Sequence, residues 1–466
     1  MSPTTDPTSP TTTSTGAVTV TSRLAAFIAD GARHDVPDDV GELAALHLLD
    51  TLASVVACRD LRAGETARAY AGAHGSGDVP ILGTEDTASL IDATFASSII
   101  AHGAEINDFC PSAFVQPGPG VVSTALCVGL ARRRSGREVL NAIASGYELA
   151  CRTPKAIGNE TLRSSGIANH SIGSLFGVAA TAAPLLELDA AQCNDLLAYV
   201  SQQASGSWQW LLDVEHLEKA FVFGGMAVHN GLHAALLVEA GFTGVPDSLD
   251  QPGGWFAGLT GNDERRAEQL VESLGEDYQL DLVGYKRYPV GGPVQPAVKG
   301  LLQLLADETD RRVSNITISM PGAADVFAAA KMPALNIPYL AALIVLDGRL
   351  DFVDAQSLDR FRHDDEVRRI MERIVIVHDP DQETVPRSES ATISVEFEDG
   401  RSASTHVGHV RGYPSHPMSR ADVVTKSEEL LGLHFASDRV SRIVDTALGV
   451  AASDSVDELV GLIARP

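Results

Sequence analysis

The feature that most constrains this chain is a long series of apolar segments with helical spacing, which runs from Ser22 to about Gly261. In LAALHLLDTLASVVACRD and EVLNAIASGYELACR, for example, apolar residues recur every three or four positions, as expected for helices that bury one face. Alanine and other small residues are frequent in these segments, so neighbouring helices can approach closely. No G-x-G-x-x-G follows a strand pattern. We therefore predict a many-helix domain and no Rossmann-type sheet.

The pattern changes after YKRYPVGGPVQPAVKGLLQLL. RRVSNITISMP alternates as a strand does, DDEVRRIMERIVIVHDP predicts a helix that runs into a strand, and ATISVEFEDGRSASTHVGHV predicts a hairpin with Asp399-Gly400 at its turn. From about Arg420 the helical pattern returns. The predicted fold is mainly α. A large all-helical domain carries a smaller α+β domain inserted late in the chain, and the predicted boundaries are 18–282 with 410–466 for the first and 283–409 for the second.

Composition excludes some partners. The 466 residues include 35 basic and 61 acidic ones, and a net charge of -26 repels nucleic acid and anionic membrane surfaces. We find no uninterrupted apolar run of roughly 18 residues and no basic-then-apolar N-terminus, so we expect no membrane partner. The five cysteines form no CxxC pair, which favours reduced thiols and a cytoplasmic location. The Ser/Thr/Pro-rich residues 1–17 are predicted to be a disordered tail.

The stretch AHGAEINDFCPSAFVQPGPG places several ionisable groups at the end of an apolar helical segment. If the helix continues to residue 108, His102 and Glu105 share a face, as do Glu105 and Asp108. Cys110-Pro111 then ends the helix. These side chains form either the floor of a pocket or a solvated helix end.

Lysines are rare, with six in the whole chain, so the surroundings of two of them are informative. Lys219 precedes Gly224-Gly225, where backbone can approach a ligand closely, and it could hold a carboxylate or pair with a neighbouring glutamate. Lys286 and Arg287 lie at the junction of the two predicted domains, where clefts are common. They suit an anion, or they are surface charges on a linker.

Two further patterns contain candidate site residues. In GYELACR, Tyr147 and Arg152 are five residues apart and do not share a helical stripe, so only tertiary structure could bring both to a site. Otherwise the Tyr is packed and the Arg complements the helix dipole. In HNGLH, His229 and His233 have the spacing of metal ligands on a helix but lack the zincin Glu and a nearby third ligand. We assign no metal.

The order of these segments resembles the MmgE/PrpD family over nearly the whole chain after the N-terminal tail. AHGAEINDFC is followed by QPGPGVVSTAL, GYELACR, HSIGSLFGVAATAAPLLEL, LEKAFVFGGMAVHNGLHAALLVEAGFTG and YKRYP. The family includes 2-methylcitrate dehydratase, cis-aconitate decarboxylase and iminodisuccinate epimerase. The resemblance implies a helical domain completed by the C-terminus, an α+β lid, a homodimer, a small polycarboxylate substrate, and no metal or organic cofactor.

The resemblance also indicates site residues, with departures. His102, Tyr147, Arg152, Lys286 and, within a one-residue shift, Lys219 fall on family motif positions, and His170 lies close to a family histidine. The motif A-H-x-x-D-F-D-D-T is altered, since Glu105 and Asn107 replace its first two Asp residues while Asp108 matches the third. Three further positions differ: Phe109 stands for the Thr, and Gln116 and about Gly291 stand for two histidines.

These departures bear on the reaction. Dehydration needs both an acid and a base of different character, whereas epimerisation next to a carboxylate needs only removal and return of a proton. The leading hypothesis is therefore epimerisation of an iminodisuccinate-like dicarboxylate. Hydro-lyase chemistry of the 2-methylcitrate dehydratase type, cis-aconitate-type decarboxylation and a non-catalytic helical dimer are the alternatives. The candidate catalytic residues are Lys286, Tyr147, His170, His102, Glu105 and Asp108, and the candidate substrate-binding residues are Lys219, Arg152, Arg287, Asn107 and Gln116.

Overall fold

A computed structural model describes residues 18–33, 35–74, 76–308, 311–383 and 389–464. The tail predicted at residues 1–17 lies outside the described residues. The fold is mainly α, as the helical spacing predicted.

Helices dominate the first half of the chain and its end. Thr19, Ser89, Ser135, Asp189 and Ser419 start their helices by accepting a backbone N–H with their side chains. The helices of this part are α1 Val20–Asp30, α2 Asp38–Cys58, α3 Arg62–His74, α4 Leu90–Ala101, α5 Gly118–Ala131, α6 Gly136–Ile157, α7 Asn159–Ser164, α8 Asn169–Leu185, α9 Ala190–Gln203, α10 Leu217–Ala220, α11 Met226–Glu239, α12 Trp255–Thr260, α13 Glu264–Gln269, and later α20 Arg420–Leu431, α21 Ser437–Leu448 and α22 Asp457–Ile463.

The central helix α8 packs against α5, α6 and α11. Its closest neighbour is α6, and small residues make that approach possible. A Cβ on Gly146 of α6 would lie 2.1 Å from Thr181 Oγ1, and one on Gly177 of α8 would lie 2.9 Å from the Gly146 carbonyl oxygen. No side chain fits at either position, which explains the abundance of small residues in these two segments.

The intervening segment contains a sheet covered by helices. Its helices are α14 Gln295–Leu305, α15 Ala324–Ala328, α16 Ile337–Asp347, α17 Phe352–Gln356, α18 Leu358–His363 and α19 Asp365–Met371. Its four strands are β5 Val313–Met320, β6 Ile374–His378, β7 Ala391–Phe397 and β8 Ser402–Val407, in the spatial order β6-β5-β7-β8. β5 and β6 are parallel, and the other pairs are antiparallel. The hairpin predicted at Asp399-Gly400 is present, with Gly400 at a φ of 88°.

The chain has two main hydrophobic cores. The first gathers buried residues from Leu24 to Val283 and again from Leu430 onward, while the second gathers Phe109 and residues between Val290 and Tyr413. Short strands β1 Val79–Pro80 and β2 Thr87–Ala88 pair within the first part. The antiparallel pair β3 Asp108–Phe109 and β4 Gly284–Tyr285 lies where the two cores meet. This pair brings the segment after α4 next to the segment that carries Lys286.

Two helical stretches of the described residues are long and apolar enough to cross a membrane, Asp38–Cys58 and Leu217–Glu239. In an apolar window of 18 residues within each stretch, 83% and 61% of the residues, respectively, are buried inside the protein. Core helices of a folded protein have the same length and composition.

Candidate active site

The segment after α4 turns instead of continuing the helix. α4 ends at Ala101, so the predicted helix through residue 108 is wrong, and Glu105 and Asp108 do not share a helical face. The helix ends because Asn107 Nδ2 donates to the Ala101 carbonyl at 2.5 Å and the Gly103 N–H donates to the Ile100 carbonyl at 2.9 Å. The turn separates the acidic side chains into two groups with different surroundings.

Glu105 is the centre of the first group, and its buried carboxylate has three partners. Lys219 Nζ forms an ion pair with Oε1, His216 Nε2 lies 3.0 Å from the same oxygen, and Lys286 Nζ lies 3.4 Å from Oε2. Burial alone would raise the pKa of Glu105, but the two lysines and the His216 hydrogen bond outweigh it and hold that pKa well below its usual range. Glu105 is therefore ionised at neutral pH.

Lys219 reaches Glu105 because of the unusual backbone around it. His216 has a φ of 60°, α10 follows with Lys219 in it, and a π-helical turn at Phe221–Gly225 leads into α11. A Cβ on Gly224 would lie 2.4 Å from Ser98 Oγ of α4. The sequence analysis predicted that a ligand could lie close to Gly224 and Gly225. In the structure these glycines pack against α4, next to the segment that holds Glu105. Burial lowers the pKa of Lys219, and Glu105 opposes that shift.

Lys286 is placed by the β3–β4 pair, in which Asp108 lies opposite Tyr285. Its side chain is 1% exposed, and its Nζ has no hydrogen-bond acceptor among the described residues. The Nζ therefore retains donor capacity for a bound anion.

These groups face a cavity of about 160 Å³ at the junction of the two cores. Four polar atoms of its wall are buried and have no hydrogen-bond partner among the described residues. They are Lys286 Nζ, Gln116 Oε1, His170 Nδ1 and Trp210 Nε1. A buried polar atom without a partner costs about 1–3 kcal/mol, so a ligand that bonds these atoms gains that amount at each. Polar groups converging in this way are typical of a binding site.

An aromatic cluster forms one side of the cavity. The His170 ring stacks on Phe223 at 4.0 Å between centroids, Trp210 meets Phe223 edge-on at 4.8 Å, and Lys219 Nζ lies 4.8 Å from the Trp210 ring centroid. Burial and the nearby Lys219 charge lower the pKa of His170 well below its usual range. His170 is therefore a neutral imidazole at neutral pH, able to donate or accept one hydrogen bond.

Asp108 is the centre of the second group, which is buried behind the cavity and absent from its described lining. Tyr147 OH donates to Oδ2 at 2.5 Å, His47 Nδ1 lies 3.0 Å from the same oxygen, and the Gly118 N–H donates to Oδ1 at 3.1 Å. Tyr285 stacks on His47 at 4.4 Å. Burial and the Asp108 carboxylate raise the pKa of Tyr147 well above its usual range, so the phenol stays protonated.

A buried ion pair belongs to the same group. Lys426 Nζ lies 2.6 Å from Asp50 Oδ1 and donates to the Ile106 carbonyl at 2.8 Å. Burial raises the pKa of Asp50, and Lys426 opposes that shift. We call His47, Asp50, Asp108, Tyr147 and Lys426 the rear cluster.

The predicted site residues thus separate. Glu105, Lys219, Lys286, His170 and Gln116 line the cavity, whereas Asp108 and Tyr147 lie in the rear cluster. His102 is buried between His216 and Phe223, at ring distances of 5.2 and 4.6 Å, and does not line the cavity.

Three predicted binding residues have other roles. Arg152 pairs with Glu148 and donates to the carbonyls of Gln269, Glu272, Ser273 and Asp277, which fixes the loop after α13. Arg287 pairs with Glu429 at 3.0 Å near the surface, and Asn107 caps α4. These three side chains do not line the cavity, and their donors bond to protein groups outside it, so we no longer expect them to bind a substrate there.

Sequence reasoning missed His216, the two tryptophans and most of the rear cluster. His216 precedes Lys219 by three residues in HLEKAF, and two of the three tryptophans of the chain lie in SWQWLL, so a search around Lys219 could have found them. His47, Asp50 and Lys426 gave no signal, since each lies in an ordinary apolar helix pattern and meets its partners only in the tertiary structure.

His102, Glu105 and His216 form a group with metal-ligand geometry, with one atom of each within 4.8 Å of the others. The Glu105 carboxylate, however, already faces the ammonium groups of Lys219 and Lys286. A divalent cation there would face two positive charges at close range. We therefore treat Glu105 as the partner of the lysines. His229 and His233 lie exposed on α11, with ring centroids 5.9 Å apart.

Comparison with known proteins decides the family. Residues 22–268 match the MmgE/PrpD N-terminal domain, and residues 288–449 match the MmgE/PrpD C-terminal domain. The chain belongs to the MmgE/PrpD family. It is 25% identical over 480 residues to the cis-aconitate decarboxylase-like protein oryM of Aspergillus oryzae (95% of this chain, 97% of the relative). It is 23% identical over 482 residues to the cis-aconitate decarboxylase of Aspergillus terreus (96% of each).

Members of this family are enzymes, and these relatives are named as lyases or lyase-like proteins. The similarity therefore favours the lyase alternative of the sequence analysis over the epimerase that it placed first.

Proposed function

We propose that this MmgE/PrpD protein is a cofactor-independent lyase that decarboxylates a small polycarboxylate in the cavity beside Glu105. One observation carries the proposal: Lys219 and Lys286, two buried lysines paired through the Glu105 carboxylate, face a cavity whose wall also holds His170 and Trp210 nitrogens without a hydrogen-bond partner among the described residues. Full-length similarity to a cis-aconitate decarboxylase supports the choice of reaction.

The chemistry follows from the two sides of the cavity. Lys286 Nζ donates to a carboxylate that stays, and a second carboxylate lies against Trp210 and Phe223, away from water. Removal from water disfavours an anion more than neutral CO2, so the carbon–carbon bond breaks with release of CO2. The electron pair that remains is delocalised into the retained unsaturated carboxylate, whose developing charge Lys286 stabilises.

Lys219 completes the reaction by giving a proton to the carbon that lost CO2. Burial lowers the pKa of its ammonium group, which makes it a better acid, while Glu105 keeps it charged and oriented. Lys219 regains its proton from water after the product leaves. Glu105 acts through Lys219 and Lys286 and is a positioning residue, as is His216, which bonds to Glu105.

Epimerisation is a second candidate because Phe109, Gln116 and Gly291 all line the cavity. These are the positions where the chain departs from the family's hydroxyl and imidazole groups. Removal and return of a proton by Lys219 would not require those groups.

Three further statements belong to the same proposal. The segment 283–409, which supplies Gly291, Phe327 and Leu335 to the cavity wall, acts as a lid over the helical domain. The protein works as a homodimer, and it works in the cytoplasm. Size-exclusion chromatography with light scattering measures the oligomeric state directly.

Proton NMR in heavy water, with iminodisuccinate, 2-methylcitrate, citrate and cis-aconitate, tests the reaction. A decarboxylase yields CO2 and a product with one deuterium at the former carboxylate-bearing carbon. A new vinylic signal without CO2 indicates a hydro-lyase, and α-deuterium exchange without net conversion indicates an epimerase.

Lys286→Met removes the charge with little change in volume and should abolish turnover. Lys299→Met is the matched control, since Lys299 lies on α14 and donates to the His409 carbonyl outside the cavity. Full turnover in Lys286→Met would contradict the proposed site.

A further inference from the structure

The cavity has a small positive charge for a polycarboxylate site. Its deep charges are Lys219, Lys286 and Glu105, which together carry one net positive charge and compensate one substrate carboxylate. Arg163 also lines the cavity, but it is exposed and lies over the Trp208 ring at 5.8 Å. The second carboxylate, which leaves as CO2, lies against Trp210 and Phe223. A third would have only the exposed Arg163 among the described lining residues, and Glu389, which also lines the cavity, would repel it.

Much of the remaining wall is apolar. A volume of about 160 Å³ holds on the order of ten water molecules, and the following apolar side chains surround that space: Phe109, Phe114, Leu211, Val326, Phe327 and Leu335. Val326, on α15, is 37% exposed. Water in contact with so much apolar surface is readily displaced by an apolar ligand group.

Phe114 shows that one of these rings is held at a conformational cost. Its φ of 52° lies in the left-handed region, which an aromatic residue rarely adopts. It is held there by the tight turn in which the Cys110 N–H donates to the Val115 carbonyl at 2.8 Å. A glycine would occupy the same backbone position without strain, so the ring itself is the feature that the fold maintains at the cavity wall.

Gly291 shows that the apolar wall reaches Glu105. A Cβ at residue 291 would lie 3.9 Å from Glu105 Oε2 but only 2.4 Å from Leu335 Cδ2. The Leu335 methyl group therefore occupies the space in which a polar side chain at 291 would point. A substrate carboxylate directed there would lose its hydration and gain no donor from residue 291 or Leu335.

We infer that the substrate is a dicarboxylic acid that carries an alkyl or aryl substituent, with one carboxylate at Lys286 and the substituent against Phe114, Val326 and Leu335. This inference rests on the proposed function, because it takes the lysine pair as the carboxylate site. It excludes a fully polar tricarboxylate as the preferred ligand.

Calorimetric titration with four saturated, unreactive acids tests it: succinate, hexylsuccinate, benzylsuccinate and tricarballylate. Each buried methylene should strengthen binding roughly fourfold, so hexylsuccinate should bind at least thirtyfold more tightly than succinate. Benzylsuccinate should also bind more tightly than succinate, and tricarballylate should bind no more tightly than succinate.

Val326→Ser should reduce the preference for hexylsuccinate over succinate at least threefold. The matched control is Val353→Ser, since Val353 is 61% exposed on α17 and does not line the cavity. Equal affinity for succinate and hexylsuccinate, or tightest binding of tricarballylate, would overturn the inference.

Lys286→Met distinguishes failure of the inference about the substituent from failure of the proposed function. If the variant loses binding of whichever acid the wild type prefers, the lysine site stands even when the alkyl preference is absent. If binding does not depend on Lys286, or if no acid binds, both the site and the inference are wrong.

Discussion

Glu105 and Asp108 are three residues apart, and both are buried carboxylates with cationic or histidine neighbours, yet only one faces a cavity. Glu105 forms ion pairs with Lys219 and Lys286, and within the described part of the chain Trp210 Nε1 and His170 Nδ1 in the same cavity wall have no hydrogen-bond partner. Both Asp108 oxygens bond to protein groups behind the cavity, including Tyr147 and the Gly118 backbone. The group around Asp108 also contains buried polar atoms without a hydrogen bond among the described residues, such as His47 Nε2 and Tyr285 OH, so what distinguishes Glu105 is the open space beside it.

The rear cluster instead stabilises the junction of the two cores. Asp108 and Tyr285 are opposite each other in the β3–β4 pair, and His47 contacts both side chains. Because Lys286 follows Tyr285 directly, this network positions the lysine beside Glu105. We therefore expect substitutions beside Glu105 to affect turnover first and substitutions in the rear cluster to affect stability first.

After Lys286→Met, Lys219→Met should have the largest effect on turnover. It removes the proton donor and one charge from the cavity, and a positioned acid contributes typically 10²–10⁴-fold to a rate, so we expect turnover to fall by about 10³-fold. Single-turnover kinetics with the substrate found by NMR measures this loss. The variant should retain its circular dichroism spectrum, and Lys299→Met is again the control. Near-normal turnover would remove Lys219 from the reaction.

Lys426→Met should have the largest effect on stability. Removal of one partner from a buried ion pair costs about 3–5 kcal/mol, and Asp50 would be left without its lysine. Because burial already raises the pKa of Asp50, its protonation should offset part of this loss at acidic pH. Urea denaturation measures the unfolding free energy.

The double variant Lys426→Met/Asp50→Asn should recover most of that stability, because it leaves no uncompensated charge. A double variant as unstable as the single one would show that the loss comes from packing and not from charge.

The pH dependence of stability should report His170. Burial and Lys219 lower the pKa of His170 in the folded protein below its unfolded value of about 6.5. Below about pH 6.5 the unfolded chain binds a proton that the folded protein excludes. The unfolding free energy therefore decreases as the pH is lowered from 6.5, until the pH reaches the pKa of His170 in the folded protein. Each such group contributes about 1.4 kcal/mol per pH unit.

His170→Gln removes this contribution. Its stability, measured by urea denaturation between pH 6.5 and 5, should therefore fall less steeply than that of the wild type. Identical slopes would mean that His170 is protonated in the folded protein.

Arg287→Ala should have the smallest effect. Its ion pair with Glu429 is at the surface, and such pairs contribute about 0–1 kcal/mol. Turnover should stay within about twofold of the wild-type value, and thermal denaturation should show little change. A large loss of substrate affinity would restore Arg287 to the binding site that the sequence analysis predicted.

The sequence predicted the fold well because helical periodicity and the β7–β8 turn at Asp399-Gly400 are local signals. Lys219, Lys286 and Glu105, which meet at the cavity, were candidates from the sequence because rare lysines and clustered acids stand out in this composition. The helix through residue 108 was predicted wrongly, since Asn107 and Gly103 end α4 through contacts that helical periodicity does not reveal.

The position of Arg152 outside the cavity could not be predicted from the sequence for a related reason. A motif position shows that a residue is needed, but the carbonyls that Arg152 bonds come from the loop after α13, more than 100 residues away. Only the folded chain shows that its donors are already used. The same limit applies to Tyr147, whose phenol bonds to Asp108 behind the cavity.

The most direct test of the account is calorimetric titration of one saturated dicarboxylate, the tightest wild-type ligand of the series above, into Lys286→Met and Tyr147→Phe. We expect Lys286→Met to lose at least a hundredfold in affinity, while Tyr147→Phe keeps its affinity within about threefold and loses about 1–3 kcal/mol of unfolding free energy through the lost hydrogen bond to a charged group. Loss of binding in Tyr147→Phe with retention in Lys286→Met would contradict the assignment of the Glu105 cavity as the substrate site.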